Sequence, residues 1–247
     1  MLQGKKVILF DLDGTLIDSV GIWNEVDKQL ILRLGGVPAG EAELQAQRDA
    51  ALRRFSSAPN PYLLYCGALK EGIDTPLTAD QILAFRYQVA AEYLKTYINY
   101  KPGAAQLLRW LKAQGFLLVL ATTTKRSNID VYRTENQNML QQAPLDELFS
   151  AIYTREDVQN IKPHPEVYQT AMREFGVTPS DCLVFEDSLV GIEAAKQAGI
   201  EVAALYDRYS SHEQEIIKAS ADFFFSSFAA VLRAIKAEHL ANETHKL

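Results

Sequence analysis

The sequence predicts an α/β fold: a parallel sheet with helices on both faces and a block of helices inserted early in the chain. Three observations predict it. Six short apolar runs, each closed by polar or turn residues, have the character of buried strands. The later runs alternate with segments whose apolar residues recur at helical spacing. Between the first run and the second, residues 18–98 contain no convincing strand.

The first strand, residues 6–12, is almost wholly apolar until it meets two acids. A strand buried on both faces reads this way, without polar alternation. Helices are then predicted over residues 20–34, 41–55, 62–70 and 79–97. Gly35-Gly36, Pro59-Asn60-Pro61 and Asp74-Thr75-Pro76 punctuate that stretch. The strand–helix rhythm starts with a stripe of Ala104, Leu107, Leu108 and Leu111, stopped by Gly115. Strands follow at 116–122 and 149–153. Val167, Ala171 and Phe175 mark a helix closed by Gly176, ahead of a strand at 182–186. Ile192, Ala195 and Ala198 mark another helix, closed by Gly199, ahead of strands at 202–206 and 222–225. Crossovers between parallel strands are right-handed, and ligands gather at the carboxyl ends of such strands. The inserted helices leave the sheet at that rim. The expected organisation is therefore a core of residues 1–17 and 99–247 and a helical domain of residues 18–98 seated over the strand ends as a lid.

Composition narrows the function classes. Of 247 residues, 48% are hydrophobic and 23% charged, which excludes a disordered chain, a collagen or a small disulfide scaffold. Cys66 and Cys182 stand far apart, so neither a paired-cysteine metal site nor a structural disulfide is expected. A net charge of -6 gives no general attraction to nucleic acid or anionic lipid. The apolar run Val7–Phe10 is far too short to span a membrane or to form a signal-peptide core. A soluble cytoplasmic protein, monomer or homodimer, is expected.

Four strand ends carry chemistry. The first reads Phe10-Asp11-Leu12-Asp13-Gly14-Thr15-Leu16. Alternate side chains of a strand share a face, so Asp11 and Asp13 can reach one site. Two carboxylates held together need a cation. Mg2+ suits them, because it takes oxygen ligands and accepts a substrate phosphate. The same residues also read as a strand followed by an Asp-Gly turn. The second end is Thr122-Thr123-Thr124-Lys125, where a hydroxyl and backbone N–H groups can cradle an anion or a Thr can cap a helix. The third is Ile161-Lys162-Pro163-His164-Pro165. Lys162 supplies a compact positive charge for a phosphate or a crowded carboxylate, or is simply solvated, and His164 reads as a loop residue. The fourth is Glu186-Asp187-Ser188, in which an acid can complete a metal site with Asp11 and Asp13, or Asp187 or Ser188 can cap the next helix. In a parallel sheet these four ends converge on one rim.

This quartet resembles the haloacid dehalogenase superfamily in its phosphatase branch. The resemblance rests on Asp11-Leu12-Asp13-Gly14-Thr15, Thr122, Lys162-Pro163 and Glu186-Asp187-Ser188, and on the run from Gly191 to Gly199. It implies a Rossmann-like core with an inserted helical cap, similar in layout to β-phosphoglucomutase and small sugar-phosphate phosphatases. It further implies a Mg2+-dependent phosphomonoesterase acting on a small phosphorylated metabolite. Asp11 would be the nucleophile that becomes an aspartyl phosphate. Asp13 would protonate the leaving oxygen, then activate water, while its backbone carbonyl contacts the metal. Thr122 and Lys162 would hold phosphoryl oxygens, with the backbone N–H groups of Leu12, Asp13 and Thr123 completing the cradle. Asp187 would be a direct metal ligand, as would Asp11, and Glu186 would act through a metal-bound water.

A phosphomutase of the β-phosphoglucomutase type is the alternative within that family, and a non-catalytic binding protein the alternative outside it. Asp18-Ser19 is followed by Val20, where many sugar-phosphate members carry an acid, and no Gly- and Arg-containing segment of the hexose phosphomutases is found. Both departures weigh against hexose phosphates and against a mutase. Asp13 weighs against a dehalogenase, which needs no proton donor at that place. In the inserted helices, Arg48 interrupts the apolar face of Leu44, Leu52 and Phe55. It must pair with a nearby acid or face the cleft as a contact for the substrate's distal group. Arg53 and Arg54 read as a solvated face.

Overall fold

The computed structural model describes residues 1–55 and 57–244; Ser56, inside the expected helical domain, and residues 245–247, inside the expected core, lie outside the described residues. All six predicted strands form: β1 (Val7–Phe10), β2 (Leu117–Ala121), β3 (Ala151–Tyr153), β4 (Cys182–Glu186), β5 (Glu201–Leu205) and β6 (Phe223–Phe225). They make one sheet in the order β3-β2-β1-β4-β5-β6. Each pairing is parallel. This is the Rossmann-like order, with the strand sequence reversing direction beside β1, where ligands of such sheets bind.

After β1 come α1 (Val20–Arg33), α2 (Glu41–Arg54), α3 (Pro61–Glu71) and α4 (Ala79–Thr96), close to the four predicted helices, with no strand among the described residues between them. The sequence marks their starts. Thr78 and Gln81 form a reciprocal capping box at α4, and Asn60 caps α3 by accepting from the Leu63 N–H. The helices α5 (Ala104–Ala113), α6 (Arg126–Thr134), α7 (Gln137–Gln142), α8 (Leu145–Leu148), α9 (Glu166–Phe175), α10 (Leu189–Gln197), α11 (Gln214–Ser220) and α12 (Phe228–Thr244) connect or follow the later strands.

Strand periodicity divides the core into two layers. Ile8, Phe10, Leu118, Leu120, Leu183 and Phe185 face one way and pack with residues of α5, α6 and α12. Val7, Leu9, Val119, Ala121, Cys182 and Val184 face the other way, against α9 and α10. Val26 of α1 and Val89, Ala90 and Leu94 of α4 extend the first layer, and Leu30, Leu34, Tyr65, Cys66 and Ile82 form a smaller cluster within the inserted helices. Cys66 and Cys182 are both buried free thiols.

Register places the functional ends. Phe10 pairs with Leu120 on one side and with Phe185 on the other. Asp11 therefore leaves β1 level with Ala121 and Glu186, and Thr122 and Asp187 follow one residue on. No helix among the described residues is long and apolar enough to cross a membrane.

Candidate active site

Asp11, Lys162, Glu186 and Asp187 meet at this rim, all buried. Lys162 Nζ lies 2.8 Å from Asp11 Oδ1 and 2.7 Å from Glu186 Oε1. The Tyr168 hydroxyl of α9 donates to the same Glu186 oxygen at 3.3 Å. The other oxygen, Oε2, accepts from the backbone N–H groups of Asp187 and Ser188 and from the Ser188 hydroxyl. Glu186 is thus committed to protein donors on both oxygens. Asp187 accepts from Thr15 Oγ1 at 2.8 Å and from Ser210 Oγ at 3.3 Å.

Two glycines make the approach possible. Gly14 has φ +85, and a Cβ there would strike the Asp187 carboxylate at 2.5 Å. At Gly191 a Cβ would occupy the space of the Glu186 carboxylate, so the glycine accommodates the acid as well as close helix packing.

Three carboxylates face one ammonium here. Burial pushes the Asp11 carboxyl up to about 7, reinforced by Glu186 and opposed by Lys162. Burial, Glu186 and Asp11 likewise push Asp187 well above the usual carboxylate range. Burial works against a charged Lys162, but Asp11 and Glu186 outweigh it and hold its pKa well above the ordinary value. Oxygens of Asp11, Glu186 and Asp187 all lie within 4.8 Å of one another. An all-oxygen, electron-rich cluster of this kind fits a hard divalent cation.

Asp13 stands beside this cluster and lines a cavity of about 500 Å³ with Asp11, Thr123, Lys162 and Asp187. Its Oδ1 accepts from Ser19 Oγ at 2.5 Å, and its Oδ2 accepts from Thr124 Oγ1. Thr122 is buried, and its Oγ1 accepts from the Thr124 N–H at 3.1 Å. Among the described residues, the N–H groups of Leu12, Asp13 and Thr123 have no intramolecular acceptor. Backbone donors left open beside a lysine make an anion cradle. His164 is exposed in its loop and accepts from the Glu166 N–H through Nδ1.

The far wall of the cavity comes from the inserted helices, through Trp23, Gln45, Arg48, Tyr62, Arg86 and Tyr87. Arg48 pairs with an acid and also faces the cavity. It donates to Asp27 Oδ2 at 2.9 Å and to Asn24 Oδ1 at 2.8 Å, and it lines the cavity. Arg86 holds the other Asp27 oxygen at 2.6 Å, with its guanidinium 4.5 Å from the Trp23 ring centroid. Arg53 is exposed, as expected, and also pairs with Glu213 at 2.7 Å, reaching the turn after β5. That turn also accepts the Gln45 side-chain amide at the Tyr209 carbonyl, 3.0 Å away.

Sequence reasoning missed Thr15, Ser19 and Thr124 as site residues, and also Lys101 and Asp207. Lys101 Nζ donates to the Gly14 carbonyl and lies 2.5 Å from Asp207 Oδ2. Asp207 had a signal, since it is an acid just beyond β5, at the same rim as the others. Ser210 and Lys101 had none, because only tertiary folding brings them there.

A family model for haloacid dehalogenase-like hydrolases matches residues 5–199, most of the chain. The chain belongs to this family and is a hydrolase. It is similar to Protein CbbY of Cereibacter sphaeroides, with 35% identity over 225 residues, 91% of this chain and 93% of the relative. It is also similar to the phosphoglycolate phosphatase of Pseudomonas putida, with 30% identity over 231 residues, 92% of this chain and 78% of the relative. Among solved structures, CbbY from Rhodobacter sphaeroides in complex with phosphate superposes with a TM-score of 0.71 at 28% identity, covering 91% of this chain and 95% of that one.

Proposed function

We propose that this chain is a Mg2+-dependent phosphomonoesterase that hydrolyses a small sugar-phosphate-like metabolite through an aspartyl phosphate on Asp11. One observation carries the reading: Asp11 is buried against Lys162, inside a carboxylate cluster, at the floor of a cavity edged by open backbone donors. Phosphoryl transfer asks mainly for positioning and charge neutralisation, which this arrangement offers. The phosphoglycolate phosphatase among the relatives and the solved CbbY structure in complex with xylulose-(1,5)bisphosphate fit a phosphate ester of a small metabolite.

Asp11 and Asp187, with the Asp13 carbonyl, would hold Mg2+, and Glu186 would reach it through water because its own oxygens are already taken. When bound, the ion supplies counter-charge to the carboxylates and to the phosphoryl oxygens. Asp11 attacks phosphorus with its free oxygen while Lys162 steadies the other. Thr122, Lys162 and the N–H groups of Leu12, Asp13 and Thr123 donate hydrogen bonds to the negative oxygens. Asp13 gives a proton to the departing alkoxide and takes one from the water that attacks the aspartyl phosphate. The helices of residues 18–98 act as the cap, and Arg48, held by Asp27 and Asn24, is the proposed contact for the distal part of the substrate. A panel of sugar phosphates and an aryl phosphate, followed by phosphorus NMR with and without Mg2+, tests the reading. Free phosphate that requires Mg2+ supports it. Isomerisation without phosphate release replaces it with a mutase, and no reaction in any arm rejects it.

A further inference from the structure

We infer that Thr124 is a positioning residue for proton transfer, its hydroxyl setting the direction of the Asp13 carboxylate. The inference rests on the acid–base role proposed for Asp13. Both Asp13 oxygens accept a hydroxyl, one from Thr124 and one from Ser19. The two donors differ in how they are held. Ser19 stands at the start of α1, in the N-cap place, and its hydroxyl makes no bond to that helix. Thr124 is fixed to the core at two backbone points: its N–H donates to Thr122 Oγ1 at 3.1 Å, and its carbonyl accepts from the Arg155 N–H at 3.0 Å.

This local side-chain-to-backbone bond stiffens the turn after β2 and aims the third threonine at Asp13. Thr122, proposed to hold the phosphoryl group, thereby orients the residue that orients the acid. Thr124 is buried, 8% exposed, and lines the cavity beside Asp13. A carboxyl oxygen has two lone-pair directions, so the Thr124 bond leaves one to carry the proton that passes to the substrate's leaving oxygen. General acid catalysis contributes about 10²–10⁴-fold, and small misplacements cost up to about 10²-fold.

The test compares an alkyl phosphate, whose leaving group needs the proton, with an activated aryl phosphate, whose leaving group does not. Thr124→Val keeps the shape and removes the hydroxyl; Thr124→Ser keeps the hydroxyl. Thr124→Val is expected to lower kcat/KM for the alkyl phosphate by about 10–100-fold and for the aryl phosphate by less than about threefold. Thr124→Ser should restore the alkyl rate to within about threefold, with thermal melting near that of the parent. Equal losses on both substrates, no loss on either, or no recovery with Ser would overturn the inference. If Thr124→Val does not fold, the same comparison between Thr124→Ala and Thr124→Ser decides. Asp13→Asn separates the two levels. Should it spare neither substrate preferentially, the acid role itself fails and this inference with it. Should it spare the aryl phosphate while Thr124→Val does not, only the role of Thr124 fails.

Discussion

At the scale of single residues, the proposed chemistry depends on the Asp11 carboxylate, which is buried beside two other acids. Burial and Glu186 raise its pKa to about 7, against Lys162. The folded value lies above the unfolded one, so the metal-free folded state binds more protons than the unfolded chain between them. Its stability therefore rises as pH falls from about 7 toward the ordinary carboxylate range. A cation needs the carboxylate form, so its affinity has the opposite slope. Mg2+ binding, followed by calorimetry or by thermal shift, is expected to weaken at least about fivefold from pH 7 to pH 6 and to level off above about pH 8. An affinity unchanged across that range would contradict the placement of the cation on Asp11. The same scale shows what the sequence made legible in the site. Asp11, Asp13, Thr122, Lys162, Glu186 and Asp187 sit at strand ends or in the loops that follow, where topology alone brings them together. Thr15 and Ser210 reach Asp187 through turns whose direction no periodicity encodes.

At the scale of elements, the inserted helices are organised by a buried carboxylate. Asp27 of α1 joins Arg48 of α2 and Arg86 of α4. Burial alone would raise its carboxyl, but Arg86 and Arg48 outweigh that and hold it below the usual range. Removing one member of a buried ionic cluster strands the others, at a cost of about 3–5 kcal/mol. Asp27→Ala is therefore expected to lower stability by about that amount in denaturant unfolding. A change under about 0.5 kcal/mol would mean that the two guanidiniums find other partners. The helices themselves were legible because glycine and proline punctuate them, and α1–α4 differ from expectation by only one residue at several ends. Arg48 was legible as an interruption of an apolar face. Its partner Asp27 was not, since pairing between helices leaves no trace in spacing. The shorter α6 escaped because its apolar signal is small: Ile129 and Tyr132 are its buried apolar residues. The helix α12 was not predicted either, although Phe228, Val231, Leu232 and Ile235 recur there at intervals of three and four.

At the scale of the whole molecule, sheet and insertion close on one cavity from opposite sides. Its floor is the rim of β1, β2 and β4, and its far wall comes from α1–α4. Direct bonds cross between them. Arg53 meets Glu213, Gln45 meets the Tyr209 carbonyl, and Arg155 donates to the Ala58 and Pro59 carbonyls. The parallel sheet covered on both faces was implicit in six apolar runs and their helical spacers, because a strand that reads as continuously apolar needs both faces covered. The crossing bonds were not, because Arg53 and Glu213 lie 160 residues apart in sequence. The proposed mechanism makes an Asp11 carboxylate oxygen the atom that meets phosphorus. The most direct measurement is rapid quench of the enzyme with substrate and Mg2+, followed by mass spectrometry of the peptide that contains Asp11. A phosphoryl group on Asp11 during turnover, absent from Asp11→Asn together with all phosphate release, is the expected result. Continued phosphate release by Asp11→Asn, with no phosphoryl group ever found on this aspartate, would contradict it.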